Sequence, residues 1–298
     1  LAKKCLFILL VGYSMHVPVF SLGRLLSAPA GVREGAFQVD ILQVIAVSLL
    51  GLLGIAVLAR TRRGRIICVG TAGMLILLAG ALAGGTSVLD GLGGSLPVWL
   101  RAYFSPEVSP LFTMVPWAVH LLAGFLAGDL YVRGMTAGEE GRTVGRIALS
   151  AAAALVPATA ISMVTIREYA GDAFWYWSAE YVVIRLASVV LGMCALWYLT
   201  RGGAGPIMSA AGLFGRESLP VYYLHLLIVY GKDFDWSFVR IFPDGMGYPG
   251  CFGLAAALTG AMYLFARGWG SAKKNYPRAS ALAVRGLVAG SVLTFLLS

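Results

Sequence analysis

An all-α, polytopic membrane helix bundle is the fold class this sequence predicts, and three observations predict it. First, 59% of its 298 residues are hydrophobic and only 12% are charged, where a soluble domain carries about 25% charged residues; the mean hydropathy is +0.81. Second, the apolar residues come in continuous runs of helix-span length, not in the alternating segments of a membrane β-barrel. Third, the basic residues between the runs gather on one side when the runs alternate across a bilayer. About nine runs can be placed. No internal repeat or low-complexity segment divides them, so residues 1–298 read as one transmembrane domain.

In chain order, the first span covers about Cys5 to Leu22, with His16 near its far end and Pro18 kinking or ending it. A small-residue loop leads to the second span, FQVDILQVIAVSLLGLLGIAVLA, which stops at RTRRGR. The third runs from Ile66 to Gly84. The loop Gly85 to Pro110 holds SLPVWLRAYF, expected as a short interfacial helix with aromatic anchors. Span four, Leu111 to Val132, carries Pro116, Trp117 and His120; span five, Ile147 to Ile166, has Pro157 in its middle. The aromatic loop EYAGDAFWYWS reads as an interface belt before span six, Ala179 to Leu199, which contains Arg185. Span seven is residues 207–230. Span eight is Cys251 to Trp269, and a basic linker, SAKKNYPRAS, precedes a short final span at Leu287 to Leu297.

Alternating these spans puts 16 of the 23 basic residues on the side of Lys3 and Lys4 and six on the other, with Arg185 inside a span. The positive-inside rule makes the richer side cytoplasmic. The expected location is therefore integral to a membrane, with that side facing the cytoplasm. The net charge of +9 is scattered between spans with no basic stripe interleaved with aromatics, so it does not indicate a nucleic-acid partner. Cys5, Cys68, Cys194 and Cys251 form no CxxC pair, which argues for buried thiols and not a disulfide framework. No two of His16, His120 and His225 stand at metal-ligand spacing. GRES around Ser218 is no nucleophile elbow, because no strand precedes it.

The most informative stretch is LFGRESLPVYYLHLLIVY, residues 213–230. Ionisable residues in hydrocarbon are costly and usually face a protein interior or a wet cavity. Ser218, Tyr222 and His225 fall at i, i+4 and i+7, on one helical face. Leu219 to Tyr230 makes only about 18 Å of helix, so the span needs Ile207 to Phe214 as well and is interrupted at Gly215-Arg216-Glu217-Ser218. Broken spans often mark sites. The plainer alternative is a short kinked helix with a snorkelling Arg216 and a core His225.

Elsewhere, Asp40 and Gln43 share the first turn of span two; they make good helix-start chemistry, or one wall of a cavity with Gln43 binding a hydroxyl or amide. Trp117 and His120 share a face of span four, as packed residues or as site residues. Gly124 and Gly128 permit close helix packing. Asp129 with Arg133 reads as a weak i, i+4 ion pair. Arg185 is expected to pair with Asp40, Asp172 or Glu180.

Three stretches in this order, FQVDILQVIAVSLL, SPLFTMVPWAVHLLAGFLAGDL and LFGRESLPVYYLHLLIVY, each opening a span, resemble the bacterial relatives of heparan-α-glucosaminide N-acetyltransferase, within the multi-span transmembrane acyltransferases. The resemblance covers roughly residues 1 to 235. Its most specific part is the Asn/Glu-Ser-Leu-x-x-Tyr-x-x-His pattern, here Glu217 to His225. It implies transfer of an acyl group, typically from acetyl-CoA, to a sugar or glycan acceptor on the other side of the membrane. It also implies that the family's favoured catalytic histidine lies upstream of this chain. The start on Leu1 leads to the same expectation of a piece lacking its N-terminal segment, so none of the three histidines inherits that role by alignment.

Acyl transfer needs a base near the acceptor, donors for the tetrahedral oxyanion and a dry site. The catalytic candidates are His225 and Asp40. Gln43, Trp117, His120, Arg185, Ser218 and Tyr222 are the substrate-lining candidates, and Arg216 and Glu217 those for the mouth that receives CoA. The expected partners are the lipid bilayer, acyl-CoA and the acceptor, with a homodimer left open; no metal is expected. A transporter or flippase moving a sugar or lipid without chemistry is the alternative reading, and a subunit without a site is a third.

Overall fold

The computed structural model describes residues 1–297 apart from 17–20, 84–95, 169–172, 204, 232–236 and 244. Among the described residues there are helices and turns and no strand. Among the described residues, seven helices are long and apolar enough to cross a membrane: Ile41–Leu58 (α4), Arg62–Ala83 (α5), Met114–Thr136 (α7), Glu140–Thr165 (α8), Ala179–Thr200 (α10), Tyr248–Asn275 (α14) and Pro277–Leu297 (α15). The other two expected spans are the 13-residue α1, Ala2–Ser14, and the broken pair α11, Pro206–Arg216, and α12, Ser218–Tyr230. Short helices fill the connections: α2 (Leu22–Ser27), α3 (Ala30–Gly35), α6 (Val98–Arg101), α9 (Ala173–Trp177) and α13 (Phe238–Ile241).

The burial pattern is that of a bilayer protein. Leu58 is 84% exposed, Leu82 81% and Leu149 72%, an apolar exterior far beyond what water tolerates as a contiguous patch. The interior is built from small and polar side chains: Ala46, Ala102, Ala118, Ala151 and Ala187 are buried, as are Gln43, Ser109, Thr113 and Ser178. Small residues let helices approach where lipid removes the hydrophobic drive for association.

Where the sequence reads as one domain, the chain divides into two compact units, Leu1–Tyr198 and Leu199–Leu297. In the first, α1 packs on α4, α4 on α5 and α7, and α7 on α5 and α8. The α7–α8 turn is a Schellman closure: Gly138 N–H donates to Met135 O and Glu139 N–H to Gly134 O, with Gly138 at φ +69°, a conformation glycine adopts without penalty. Pro157 sits inside α8 and the helix runs through it. In the second unit, α14 packs on α11, α12 and α15. The expected basic linker is largely helix there. α14 extends to Asn275 and α15 starts at Pro277, leaving Tyr276 as the junction.

Within residues 97–113 the expected short helix forms as α6 with Trp99 52% exposed, and the residues after it pack inward. Ala102 is fully buried and clusters with Val39 and Val44; Tyr103, Phe112 and Trp117 pack around them. Ser109 Oγ accepts from Val39 N–H at 2.9 Å, and Tyr13 and Tyr103 share a hydroxyl hydrogen bond of 2.8 Å. The segment folds back over the start of α4 because its small and hydroxyl side chains satisfy backbone groups that an oily loop would leave orphaned.

Candidate functional site

Asp40 caps α4. Its Oδ1 accepts from Ile41 N–H at 2.6 Å, and its own N–H donates to Gln43 Oε1 at 3.1 Å. This is a reciprocal capping box, the product of an acid followed three residues later by glutamine. Gln43 is fully buried, and its Nε2 donates to Gln38 O at 3.4 Å. Both ends of the amide are therefore engaged in the cap, and of the two sequence readings of Gln43 the structure has the helix-start one. Asp40 Oδ2 lies 3.6 Å from His16 Nε2. Both side chains are about one-fifth exposed. The aspartate is held by its own helix start, and the histidine arrives on the turn that ends α1. The sequence puts His16 near the far end of the first span and Asp40 in the first turn of the second, without pairing them.

A second cluster gathers three expected residues. Trp117 and His120 stack with ring centroids 5.5 Å apart and an interplanar angle of 23°. His120 Nδ1 is 3.2 Å from Trp117 O. The Arg185 guanidinium lies over Trp117 at 4.9 Å and over Tyr181 at 4.2 Å. Phe174 and Trp175 pack against Tyr181 in turn, so part of the expected interface belt forms the back of this cluster. Trp117 Nε1 is buried and, among the described residues, finds no acceptor for its hydrogen. The expectation that Arg185 pairs with Asp40 or Glu180 is corrected: among the described residues its partners are aromatic faces. Asp40 is taken by its cap and His16, and Glu180 lies five positions away, off the i, i+4 face. Asp172 lies outside the described residues.

Asp129 also finds another partner than expected. Arg62 holds it through two nitrogens, Nε to Oδ1 at 3.0 Å and Nη2 to Oδ2. A fork matched to a carboxylate is the stronger geometry, and it displaces the i, i+4 contact with Arg133. In the connection before α7, burial and the bond to Tyr13 push the Tyr103 phenol well above its usual range.

In the second unit the break falls at Glu217, whose φ of −104° and ψ of 23° end α11 and start α12. The interruption is where the polar residues placed it. Glu217 is buried, and its Oε2 accepts from Lys273 Nζ on α14 at 2.6 Å. The carboxylate thereby ties the broken helix to α14. Arg216 and Ser218 are exposed on either side. Tyr222 and His225 meet edge-to-face at 5.4 Å, and His225 Nδ1 lies 3.0 Å from Val221 O. Ser218, Tyr222 and His225 share a face as their spacing predicts, while His225 and Asp40 belong to different units.

Among the described residues no group of three or more His, Cys, Asp or Glu side chains comes together as metal ligands. Comparison with known protein families, curated proteins and solved structures finds no match to this chain. The sequence signals for the missed partners, His16 and Lys273, were an ionisable side chain at a span end in each case. Neither carries a motif.

Proposed function

We propose that this chain is the membrane-embedded body of an acyltransferase that moves an acyl group, typically acetyl from acetyl-CoA, to a hydroxyl or amine of a sugar or glycan acceptor. The observation that carries the reading is the approach of His16 Nε2 to Asp40 Oδ2 at 3.6 Å. At 3.6 Å the pair is longer than a hydrogen bond; closed to bonding distance in the donor complex, the carboxylate fixed by its capping box would orient the ring and leave Nδ1 to take a proton, the histidine–carboxylate logic of general-base catalysis. The acceptor oxygen or nitrogen attacks the thioester carbonyl as its proton passes to His16 Nδ1. The tetrahedral oxyanion then collapses, the C–S bond breaks, and the CoA thiolate takes that proton. Trp117 Nε1, a buried donor without a partner among the described residues, and the Arg185 guanidinium are groups suited to meeting developing negative charge. His16 replaces His225 as the base beside Asp40.

The test is transfer from labelled acetyl-CoA by the protein reconstituted in vesicles with a panel of amino sugars and glycans. His16→Ala and Asp40→Asn should each lower the rate at least about 100-fold, the usual range for a lost acid–base group. Wild-type rates in both variants would remove the dyad from the chemistry. The helix break at Glu217 favours one rival, a transporter, since broken spans build transport sites. Thermal stabilisation by CoA separates the two: an acyltransferase is stabilised by CoA, and a sugar or lipid carrier is not.

A further inference from the structure

Within the first unit, α7, α8 and α10 are tied at one end and parted beyond it. Glu140 accepts from Trp197 Nε1 at 2.8 Å, and Cys194 Sγ lies 3.8 Å from Val144 O, which joins α8 to α10. Gly134 lets α7 approach α8 so closely that a Cβ there would meet Thr143 Cβ at 2.5 Å. Beyond these ties the three helices enclose a cleft of about 760 Å³. Its walls are apolar and largely small: Ala127, Ala151, Ala154, Val183, Leu186 and Ala187. Its rim carries Arg133, Arg146 and Glu139, the last paired with Arg142. Among the described residues neither arginine has a carboxylate within 4 Å, while the nearby acids are committed, Glu139 to Arg142 at 2.7 Å and Asp129 to Arg62. Charge counting assigns this rim to the cytoplasmic side, where anionic lipid headgroups lie.

We infer that this cleft is a binding site for one anionic phospholipid, its phosphate held between Arg133 and Arg146 and one acyl chain laid along the alanine wall. Cationic rim, apolar trough and membrane setting match both ends of that ligand. A soluble anion would leave the trough unfilled, and a neutral lipid would leave two guanidiniums uncompensated. The volume falls within the roughly 300–1,000 Å³ of ordinary ligand sites.

Native mass spectrometry of the detergent-solubilised chain, titrated with phosphatidylglycerol or with phosphatidylcholine of the same chains, tests it. One phosphatidylglycerol should be retained with about a thirtyfold preference, the combined effect of two basic residues near an anionic headgroup. Arg133→Gln with Arg146→Gln should abolish the preference, and Ala151→Phe should lower retention of both lipids by filling the trough. If Ala151→Phe fails to fold, the charge variant, which alters only exposed side chains, decides alone. Equal retention of the two lipids, a preference that survives the double charge variant, full displacement by inorganic phosphate or oleoyl-CoA, or a dimer that carries no lipid would each overturn the proposal.

Discussion

Gly12→Ala is the change that most directly tests how the first unit holds Asp40 in place. A Cβ at Gly12 would lie 2.8 Å from Gln43 Cδ and Oε1 and 3.2 Å from Nε2. Carbon contacts are favourable at about 3.5–4.0 Å, so the amide must retreat by about 0.7 Å or α1 must lift from α4. A glutamine tip normally swings aside at little cost. This one is fully buried, accepts from Asp40 N–H at 3.1 Å and donates to Gln38 O at 3.4 Å. Overpacking of a buried contact costs about 1–3 kcal/mol, and loss of a helix cap about 0.5–2 kcal/mol. The expected destabilisation is therefore about 2–4 kcal/mol, the lower figure applying if the helices part slightly. Unfolding of Gly12→Ala, Gln43→Ala and the double variant in one detergent forms a double-mutant cycle. Gln43→Ala removes the atoms that the added methyl group would strike, so the double variant should be no less stable than Gln43→Ala alone, a coupling of about 2–4 kcal/mol, the full cost of Gly12→Ala. Additive single effects would show that Gly12 and Gln43 do not meet, and the packing of α1 on the capping box would be wrong.

Lys273→Met should strand the buried Glu217 carboxylate. The loss should be about 2 kcal/mol, below the 3–5 of a fully buried pair because the lysine is 43% exposed, and Lys273→Met with Glu217→Gln should recover most of it in thermal unfolding. The Tyr103 phenol is raised by burial and by its bond to Tyr13, so the folded state favours the neutral form. Its stabilising contribution is present below the ordinary tyrosine value near 10 and declines as pH rises above it. Unfolding measured from pH 8 to 11 should show an alkaline loss that is shallower in Tyr103→Phe, and identical slopes would contradict the buried phenol. Gly134→Ala should destabilise more than Gly12→Ala, because the atoms it meets, Thr143 Cβ at 2.5 Å and Cγ2 at 2.9 Å, belong to a β-branched side chain on a helix and cannot rotate away; Thr143→Ser should relieve little of it, and Thr143→Gly most.

What the sequence made legible follows from what a bilayer demands locally. A span must be a long apolar helix, so most boundaries can be read from the runs themselves. The break at Glu217 is legible for the same reason, since Arg-Glu-Ser cannot continue an oily run unassisted. The Asp40–Gln43 box is legible because both partners lie in one helical turn. Contacts between helices are not written that way. Asp129 has an arginine four residues on, yet its partner is Arg62, 67 residues away. Glu217 stands beside Arg216, yet its partner is Lys273, 56 residues away, in what reads as a linker. Arg185 has acids within reach along the chain and lies instead between Trp117 and Tyr181. Each case has one cause. A neighbour along the same helix offers only a flexible and weak pairing or points away from the group, whereas a partner on a facing helix meets it in a geometry that helix packing fixes. An ionisable residue in an apolar span therefore signals that a partner exists on another helix without naming it. The same reasoning gives the His16–Asp40 approach its weight: Asp40 is held by its own helix start, His16 sits on the turn that ends α1, and the two meet where α1 docks on α4 through Gly12.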